Sequence, residues 1–186
     1  MTDWLALAKS NTSYLFDLIE KLVSIETPTR DKAANDEISS FTANLMRSIE
    51  GEVTVHPETE FGDHITINWP TPDGSNHKQH AFIVGHLDTV WPHGTLKRMG
   101  YSKRKGRLYG PGVLDMKAGI ATTIVGLQVL KRNNLWPNRP VKVLFNTDEE
   151  IGSPSSRPLV EHYAKGAAYA LIMEPGQGSN GALKTE

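Results

Sequence analysis

Hydrophobic runs that end in short polar clusters are the feature that most limits how this 186-residue chain can fold. Residues 81–84, 141–146 and 168–173 each read as a strand, and histidine or acidic residues follow each of them. After residue 81 such strands alternate with helical segments, which is typical of a parallel sheet covered on both faces. We therefore predict an α/β fold with three layers, αβα, a mostly parallel sheet and helices on both faces. The ligand crevice of such a sheet lies outside the carboxyl ends of its strands, so the polar clusters are expected to converge there.

Hydrophobic periodicity predicts the remaining elements. Leu15, Leu18, Ile19 and Leu22 share one face of a helix that Pro28 stops. The other predicted elements are a helix at 33–49, strands at 53–55 and 64–69, a turn at 71–76, and helices at 116–131 and 157–163. The strand at 64–69 alternates with a period of two, as a half-buried strand does. The last residues, 181–186, look like the beginning of a further strand.

Composition and charge exclude several classes of partner. The chain has 20 basic and 21 acidic residues and a net charge of -1, so electrostatics give no reason to expect nucleic acid or an anionic membrane. It has no cysteine, which excludes disulfides, thiolate zinc sites and cysteine nucleophiles. No apolar run approaches transmembrane length, and the N-terminus lacks the pattern of a secretory signal. A cytoplasmic location is expected.

The first polar cluster contains His86 and Asp88. Residues two apart in an extended segment point to the same side, so both side chains can address one site. Neutral imidazole is a good zinc ligand, and a ligating histidine usually gives its other N–H to a carboxylate. The pair therefore offers a ligand and the group that orients it. The alternative is a surface histidine beside an aspartate that caps a helix.

The second cluster places Asp115 after Gly110, Pro111 and Gly112, at the beginning of a helix. Glycines let the backbone approach a ligand closely, and the two oxygens of an aspartate can bridge two metal ions. The alternative is a helix N-cap, a position that aspartate favours.

Three further carboxylates follow strands. Glu149 and Glu150 are adjacent, so their side chains diverge, and one can bind metal while the other acts as a general base. The alternative is a solvated acidic loop, and these residues alone do not decide which glutamate takes which role. Glu174 also follows a strand, and Pro175 prevents the strand from simply continuing.

These clusters resemble the motifs of the dizinc exopeptidase and deacylase family, which includes glutamate carboxypeptidases, acetylornithine deacetylases, succinyl-diaminopimelate desuccinylases and aminoacylases. The motifs are Gly-His-Leu-Asp-Thr-Val at 85–90, Gly-Pro-Gly-Val-Leu-Asp-Met-Lys-Ala-Gly at 110–119 and Phe-Asn-Thr-Asp-Glu-Glu-Ile-Gly-Ser at 145–153. They occur in family order with family-like spacing. The run at 143–150 and the Met-Glu-Pro at 173–175 look closest to glutamate carboxypeptidases.

The resemblance implies a zinc-dependent hydrolase with two zinc ions per active site, for which cobalt can substitute. It implies His86 and Glu174 as ligands of one zinc, Glu150 as a ligand of the other and Asp115 as the bridge. Asp88 would orient His86, and Glu149 would be the general base. The implied substrate is a small peptide or an N-acyl amino acid, cleaved at an amide bond next to a free carboxylate.

The resemblance also implies a longer protein. Family members insert a lid and dimerisation domain after the strand that precedes Glu174, and they then supply a last histidine ligand. Residues 1–186 are therefore expected to be the N-terminal portion of a catalytic domain, truncated, weakly active or inactive alone, and homodimeric when intact. Two alternatives stay open: an N-acyl amino acid deacylase, and a non-catalytic α/β module that binds a metal or a partner.

Overall fold

The computed structural model describes residues 2–75, 77, 79–178 and 181–182. Its helices are α1 (Trp4–Ser10), α2 (Thr12–Ser24), α3 (Lys32–Arg47), α4 (Thr95–Met99), α5 (Ala118–Arg132) and α6 (Arg157–Lys165). Its strands are β1 (Glu52–His56), β2 (His64–Trp69), β3 (His80–His86), β4 (Ser102–Arg104), β5 (Arg107–Tyr109), β6 (Val141–Asn146) and β7 (Ala167–Ile172). An irregular, kinked turn, Val113–Lys117, precedes α5, and a 3₁₀ turn, Glu149–Ile151, follows β6.

Five strands form one mixed sheet in the order β1-β2-β6-β3-β7. β3 pairs with β6 and with β7 in parallel, whereas β2 pairs with β1 and β6 in antiparallel orientation. The predicted α/β class with helices on both faces is confirmed, and the sheet is mixed because β2 runs against the other four strands. Because β3, β6 and β7 run in the same direction, their carboxyl ends lie at one edge of the sheet.

The main hydrophobic core lies between one face of this sheet and helices α2, α3 and α5. Leu18, Ile19 and Leu22 of the predicted helix face are buried, and Leu15 packs at the edge of the core. On the other face α6 packs against the central strands, where the Phe82 and Tyr163 rings lie 6.0 Å apart. The loops beyond the carboxyl edge therefore begin from strands that are packed on both faces.

Several features differ from the sequence prediction. The helix α1 and the hairpin β4–β5 were not predicted. The helix expected at 116–131 begins only at Ala118, because the backbone of Asp115 and Met116 in the preceding turn is not helical. β2 is buried on both faces despite its alternating sequence, because Ile65, Ile67 and Trp69 pack into the core while α6 and the loop before it cover His64 and Thr66. β7 is largely exposed although its sequence is apolar.

The helical segment Val113–Arg132 corrects another expectation, since it is long and apolar enough to cross a membrane by length and composition alone. However, 56% of its apolar window is buried within this fold. Burial of this kind is typical of a core helix in a globular domain, and the segment packs against α2.

The predicted turn at 71–76 is present as far as it is described. The N–H of Gly74 donates to the Thr71 carbonyl over 3.1 Å, and Gly74 has a φ of +70°, which favours glycine. Asn76 lies outside the described residues. In the predicted terminal strand, Ala182 forms an isolated antiparallel bridge with Gln177, and residues 183–186 lie outside the described part of the chain.

Candidate metal centre

His86 is the last residue of β3, and its ring is almost completely buried, with 1% of its surface exposed. The Nδ1 atom lies 3.0 Å from the backbone oxygen of Asp88 and 3.3 Å from its Oδ1. These contacts engage Nδ1, so Nε2 faces the carboxylates beyond the sheet edge. A histidine held through one ring nitrogen presents the other as a metal ligand.

Three carboxylates surround the His86 Nε2 atom. The distances are 3.0 Å to Asp115 Oδ1, 3.3 Å to Glu174 Oε1 and 3.8 Å to Glu149 Oε2. Glu150 forms a second group with His86 and Asp115, in which one potential ligand atom from each residue lies within 4.8 Å of the others. The same criterion groups His86 with Glu149 and Glu174. The residues predicted as ligands and base therefore lie together at the carboxyl edge of β3, β6 and β7.

The fit of a metal ion is good because the donors are one imidazole nitrogen and several carboxylate oxygens, which are zinc ligands in proteins. The two groups share His86 and divide the adjacent glutamates between them. Distance alone therefore does not tell which of Glu149 and Glu150 binds metal. That assignment stays a prediction.

The Asp88 carboxylate does more than face His86. Its oxygens accept hydrogen bonds from the backbone N–H of Glu149 over 3.3 Å and of Glu150 over 3.2 Å. The hydroxyl of Thr29 donates a third bond over 2.8 Å. Asp88 is fully buried, and it joins the loop after β3 to the 3₁₀ turn after β6. The alternative in which Asp88 caps a helix is thus partly correct. Its carboxylate accepts hydrogen bonds from the first N–H groups of a 3₁₀ turn that is distant in sequence.

Asp115 lies inside the irregular turn at Val113–Lys117, where its own backbone is not helical and the Asp115–Met116 peptide bond is cis. Its side chain contacts His86 instead of capping α5, whose N-cap residue is Lys117. The N-cap alternative for Asp115 is therefore wrong. Gly112, which precedes the turn, has a φ of +69°, and a Cβ there would lie 2.8 Å from the Thr89 side chain. Only glycine suits this position, which brings the Asp115 backbone back toward the sheet edge.

The clustered carboxylates shift the pKa values of their neighbours. Burial lowers the pKa of His86, but hydrogen bonds and charge from Asp88 and Glu174 outweigh it and raise the pKa to about 11. Burial and the surrounding carboxylates raise the pKa of Glu149 and of Glu150, although the charge of His86 opposes this. Without a cation, the centre holds an excess of negative charge that a bound metal ion would neutralise.

Sequence reasoning missed three residues around this centre. Thr29 and Asp148 are buried; Thr29 binds Asp88 after β3, whereas Asp148 binds two serines at the other end of its own loop. Lys117 is also buried, and its ammonium donates to the Ile25 carbonyl. Burial lowers the pKa of Lys117 to about 7, opposed by the charge of Glu26. Nothing in the sequence marks these positions. The partners of Thr29 and Lys117 are distant in sequence, and the partners of Asp148 are two adjacent serines of a kind that occurs in many loops.

One histidine and several carboxylates meet at the carboxyl edge of the parallel strands. This arrangement places the chain among α/β proteins with a candidate metal centre. Residues 82–185 match the family described as Peptidase family M20/M25/M40. The chain belongs to this family.

Similar proteins come from both curated sequences and solved structures. Carboxypeptidase G2 from Pseudomonas sp. (strain RS-16) is 34% identical over 159 residues, which cover 84% of this chain and 37% of that protein. A succinyl-diaminopimelate desuccinylase from Wolbachia sp. subsp. Brugia malayi (strain TRS) is 30% identical, over 86% of this chain and 40% of the relative. The crystal structure of human carnosine dipeptidase 1 superimposes with a TM-score of 0.73 at 18% identity, over 88% of this chain and 39% of that one. This chain thus spans about two fifths of the length of these relatives.

Proposed function

We propose that this chain supplies the metal ligands and the general base of a zinc-dependent hydrolase that cleaves an amide bond next to a free carboxylate. The observation that carries the proposal is the convergence of the His86 imidazole with four carboxylates at one edge of the sheet. Membership of a peptidase family and similarity to carboxypeptidase G2 support it.

In this proposal His86 and Glu174 would hold one zinc ion, Glu150 would hold a second, and Asp115 would serve both. The position of Asp115 Oδ1, 3.0 Å from His86 Nε2, supports the bridge, because Asp115 also belongs to the group that contains Glu150. Asp88 orients His86 through Nδ1. Bound zinc would supply Lewis-acid activation of the scissile carbonyl and of the attacking water.

Glu149 is the proposed general base. Its side chain is 48% exposed, so substrate and water can reach it. Its pKa is raised by burial and by Glu174, Asp88 and Asp115. A carboxylate with a raised pKa is a stronger base, and it can take a proton from water and pass it to the leaving amine.

A deacylase is the second candidate, because a desuccinylase is 30% identical to this chain. Both reactions hydrolyse an amide and use the same centre, so the substrate decides between them. We expect faster hydrolysis of an N-blocked dipeptide that ends in glutamate than of N-succinyl-diaminopimelate in the presence of zinc or cobalt. The assay is run on this 186-residue chain and, in parallel, on the longest protein that its gene encodes. The reverse preference would favour the deacylase, and hydrolysis of neither substrate by either protein would favour a non-catalytic binding module.

Two alanine variants test the roles of the adjacent glutamates. Glu149→Ala is expected to keep cobalt binding and lose about 10²–10⁴-fold in turnover, since it removes a general base. Glu150→Ala is expected to weaken cobalt binding itself. Cobalt titrations by visible absorption and hydrolysis rates on the longest gene product measure both effects. Loss of metal in Glu149→Ala but not in Glu150→Ala would reverse the assignment.

The number of bound ions is a separate prediction for the 186-residue chain. His86, Asp115 and Glu174 give one metal ion three protein ligands, the number common in catalytic zinc sites. The second ion would have only Asp115 and Glu150, without an imidazole, because His86 is the only histidine in either ligand group of the described residues. We expect about one tightly bound zinc per chain, measured by metal analysis and calorimetry. Two tightly bound ions would contradict this.

A further inference from the structure

The 3₁₀ turn that carries Glu149 and Glu150 lies in a short loop between β6 and α6. The Glu149 side chain is 48% exposed, so packing of that side chain does little to fix its position. The place of both glutamates must therefore depend on how the backbone of the loop is held. Asp88 holds it from the side of the metal centre, through the N–H groups of Glu149 and Glu150.

Asp148 holds the same loop from the other side. Its carboxylate is fully buried, and Oδ2 accepts the Ser155 N–H over 2.7 Å, the Ser155 hydroxyl over 2.9 Å and the Ser156 N–H over 3.0 Å. Oδ1 accepts the Ser156 hydroxyl over 2.6 Å. Four donors match the acceptor capacity of a carboxylate. The two ends of the loop, at Asp148 and at Ser155 and Ser156, are thereby closed on each other.

His64 connects this closure to β2. Its Nδ1 accepts the Thr147 N–H over 3.2 Å, so the ring hydrogen is on Nε2, which donates to the Ser155 oxygen over 2.8 Å. The Ser155 hydroxyl hydrogen is then directed to Asp148. A backbone N–H donor at one end and a carboxylate acceptor at the other fix the direction of every hydrogen bond in this series. His64 has no exposed surface, which keeps water from competing.

We propose that Asp148 is a positioning residue, which with Ser155, Ser156 and His64 fixes the loop so that Glu149 and Glu150 face the metal centre. The inference rests on the proposed function, since it concerns the placement of the proposed base and of one proposed ligand. The hydrogen bonds of the Asp148 carboxylate described above all go to the two serines. Asp148 therefore acts through the backbone of the turn and not by contact with metal or substrate.

The test uses cobalt as the probe, with four variants of the chain. Asp148→Ala removes the carboxylate whose hydrogen bonds close the loop. Ser155→Ala removes the hydroxyl that joins Asp148 to His64. Ser155→Thr keeps that hydroxyl. Trp69→Phe is the control, because it removes a different buried hydrogen bond, from the indole N–H to the Ile49 carbonyl over 2.9 Å. Trp69 pairs with Val141 at the start of β6, the end remote from the metal centre.

Affinity for cobalt and its visible spectrum are measured together with thermal unfolding. Loss of a group that supports metal ligands typically lowers metal affinity by about 10–100-fold, and we expect Asp148→Ala to lie in this range with an altered spectrum. Ser155→Ala should show a smaller loss, and Ser155→Thr should restore the original affinity and spectrum. Trp69→Phe should lower the unfolding temperature and leave cobalt binding unchanged.

Each contrary result has a separate meaning. Unchanged affinity and spectrum in Asp148→Ala, with weakened binding in Glu150→Ala, would overturn the positioning role and leave the proposed function intact. An equal loss in Trp69→Phe would overturn it as well, by showing general destabilisation. If Asp148→Ala does not fold, the comparison of Ser155→Ala with Ser155→Thr decides. A wild-type chain that binds no cobalt would overturn the proposed function and this inference with it.

Discussion

At the scale of single residues, Asp88 joins two parts of the candidate centre. It contacts Nδ1 of His86 and also accepts the backbone N–H groups of Glu149 and Glu150. The sequence interpretation gave it the first role only. The second role makes one carboxylate responsible for aligning residues on β3 with residues that follow β6.

Removing the Asp88 carboxylate should therefore affect both folding and metal binding. Asp88→Ala leaves buried donors without a partner, which costs about 1–3 kcal/mol of stability for each unsatisfied group. Cobalt affinity should fall by about 10–100-fold. Thr29→Val is the matched control, because it removes one donor to Asp88 and leaves the carboxylate bonded to both glutamate N–H groups. Thermal unfolding and cobalt titration measure the effects, and equal losses in the two variants would contradict the role of Asp88.

His64 gives a pH prediction at the same scale. Burial lowers its pKa below the usual 6.5, although several carboxylates, Asp148 foremost, oppose the shift. A histidine whose pKa is lower in the folded state contributes full stability above its unfolded pKa, and this contribution is lost as pH falls below about 6.5. In His64→Gln the unfolding temperature should thus fall less between pH 7 and pH 5.5 than in the wild type. Parallel curves for the two proteins would show that His64 does not carry this dependence.

At the scale of secondary-structure elements, α5 closely approaches the residue that follows β7. A Cβ atom on Gly119, in the first turn of α5, would lie 2.0 Å from the carbonyl oxygen of Met173, the residue before Glu174. A Cβ on Gly126, in the same helix, meets nothing within 4 Å. The lack of a side chain at Gly119 therefore lets the segment that carries Glu174 reach the metal centre.

The two glycines provide a matched pair of alanine variants. Gly119→Ala forces Met173 and Glu174 away from α5, and overpacking of this kind costs about 1–3 kcal/mol. It should also weaken cobalt binding. Gly126→Ala should raise stability by about 0.4–1 kcal/mol, because alanine favours the helix and restricts the unfolded chain. Denaturant unfolding and cobalt titration distinguish them, and normal cobalt binding in Gly119→Ala would show that the contact does not place Glu174.

The comparison of sequence with structure is most instructive at this scale. His86, Asp115 and Glu174 could be brought together from sequence, because polar residues that follow parallel strands, or lie in an adjoining loop, share one edge of the sheet. The antiparallel pairing of β2 with β6 could not be predicted from sequence. A buried strand inside a sheet and an alternating strand at its edge differ in the strands beside them, not in their own sequence pattern. The bonds of His64 were also hidden, because the residues that it contacts are 83 and 91 positions away.

At the scale of the whole molecule, the two edges of the sheet differ. β1 is short and mostly polar, with Val55 41% exposed. β7 pairs only with β3 among the described strands, and Leu171 and Ile172 are 48% and 67% exposed. An exposed apolar edge strand has unpaired backbone groups and is a site at which chains associate. The surface formed by β7 is therefore where we expect this chain to associate with another polypeptide segment.

We expect the 186-residue chain to associate through β7 at high concentration. Ile172→Lys places a charge on this surface and should shift the chain toward the monomer, because charged side chains on an edge strand prevent pairing with another chain. Val55→Lys makes the same change on the opposite edge strand, β1, and should leave association unchanged. Analytical ultracentrifugation over a range of concentrations measures both variants. A wild-type chain that stays monomeric throughout, or an equal effect of the two substitutions, would show that β7 is not where the chains meet.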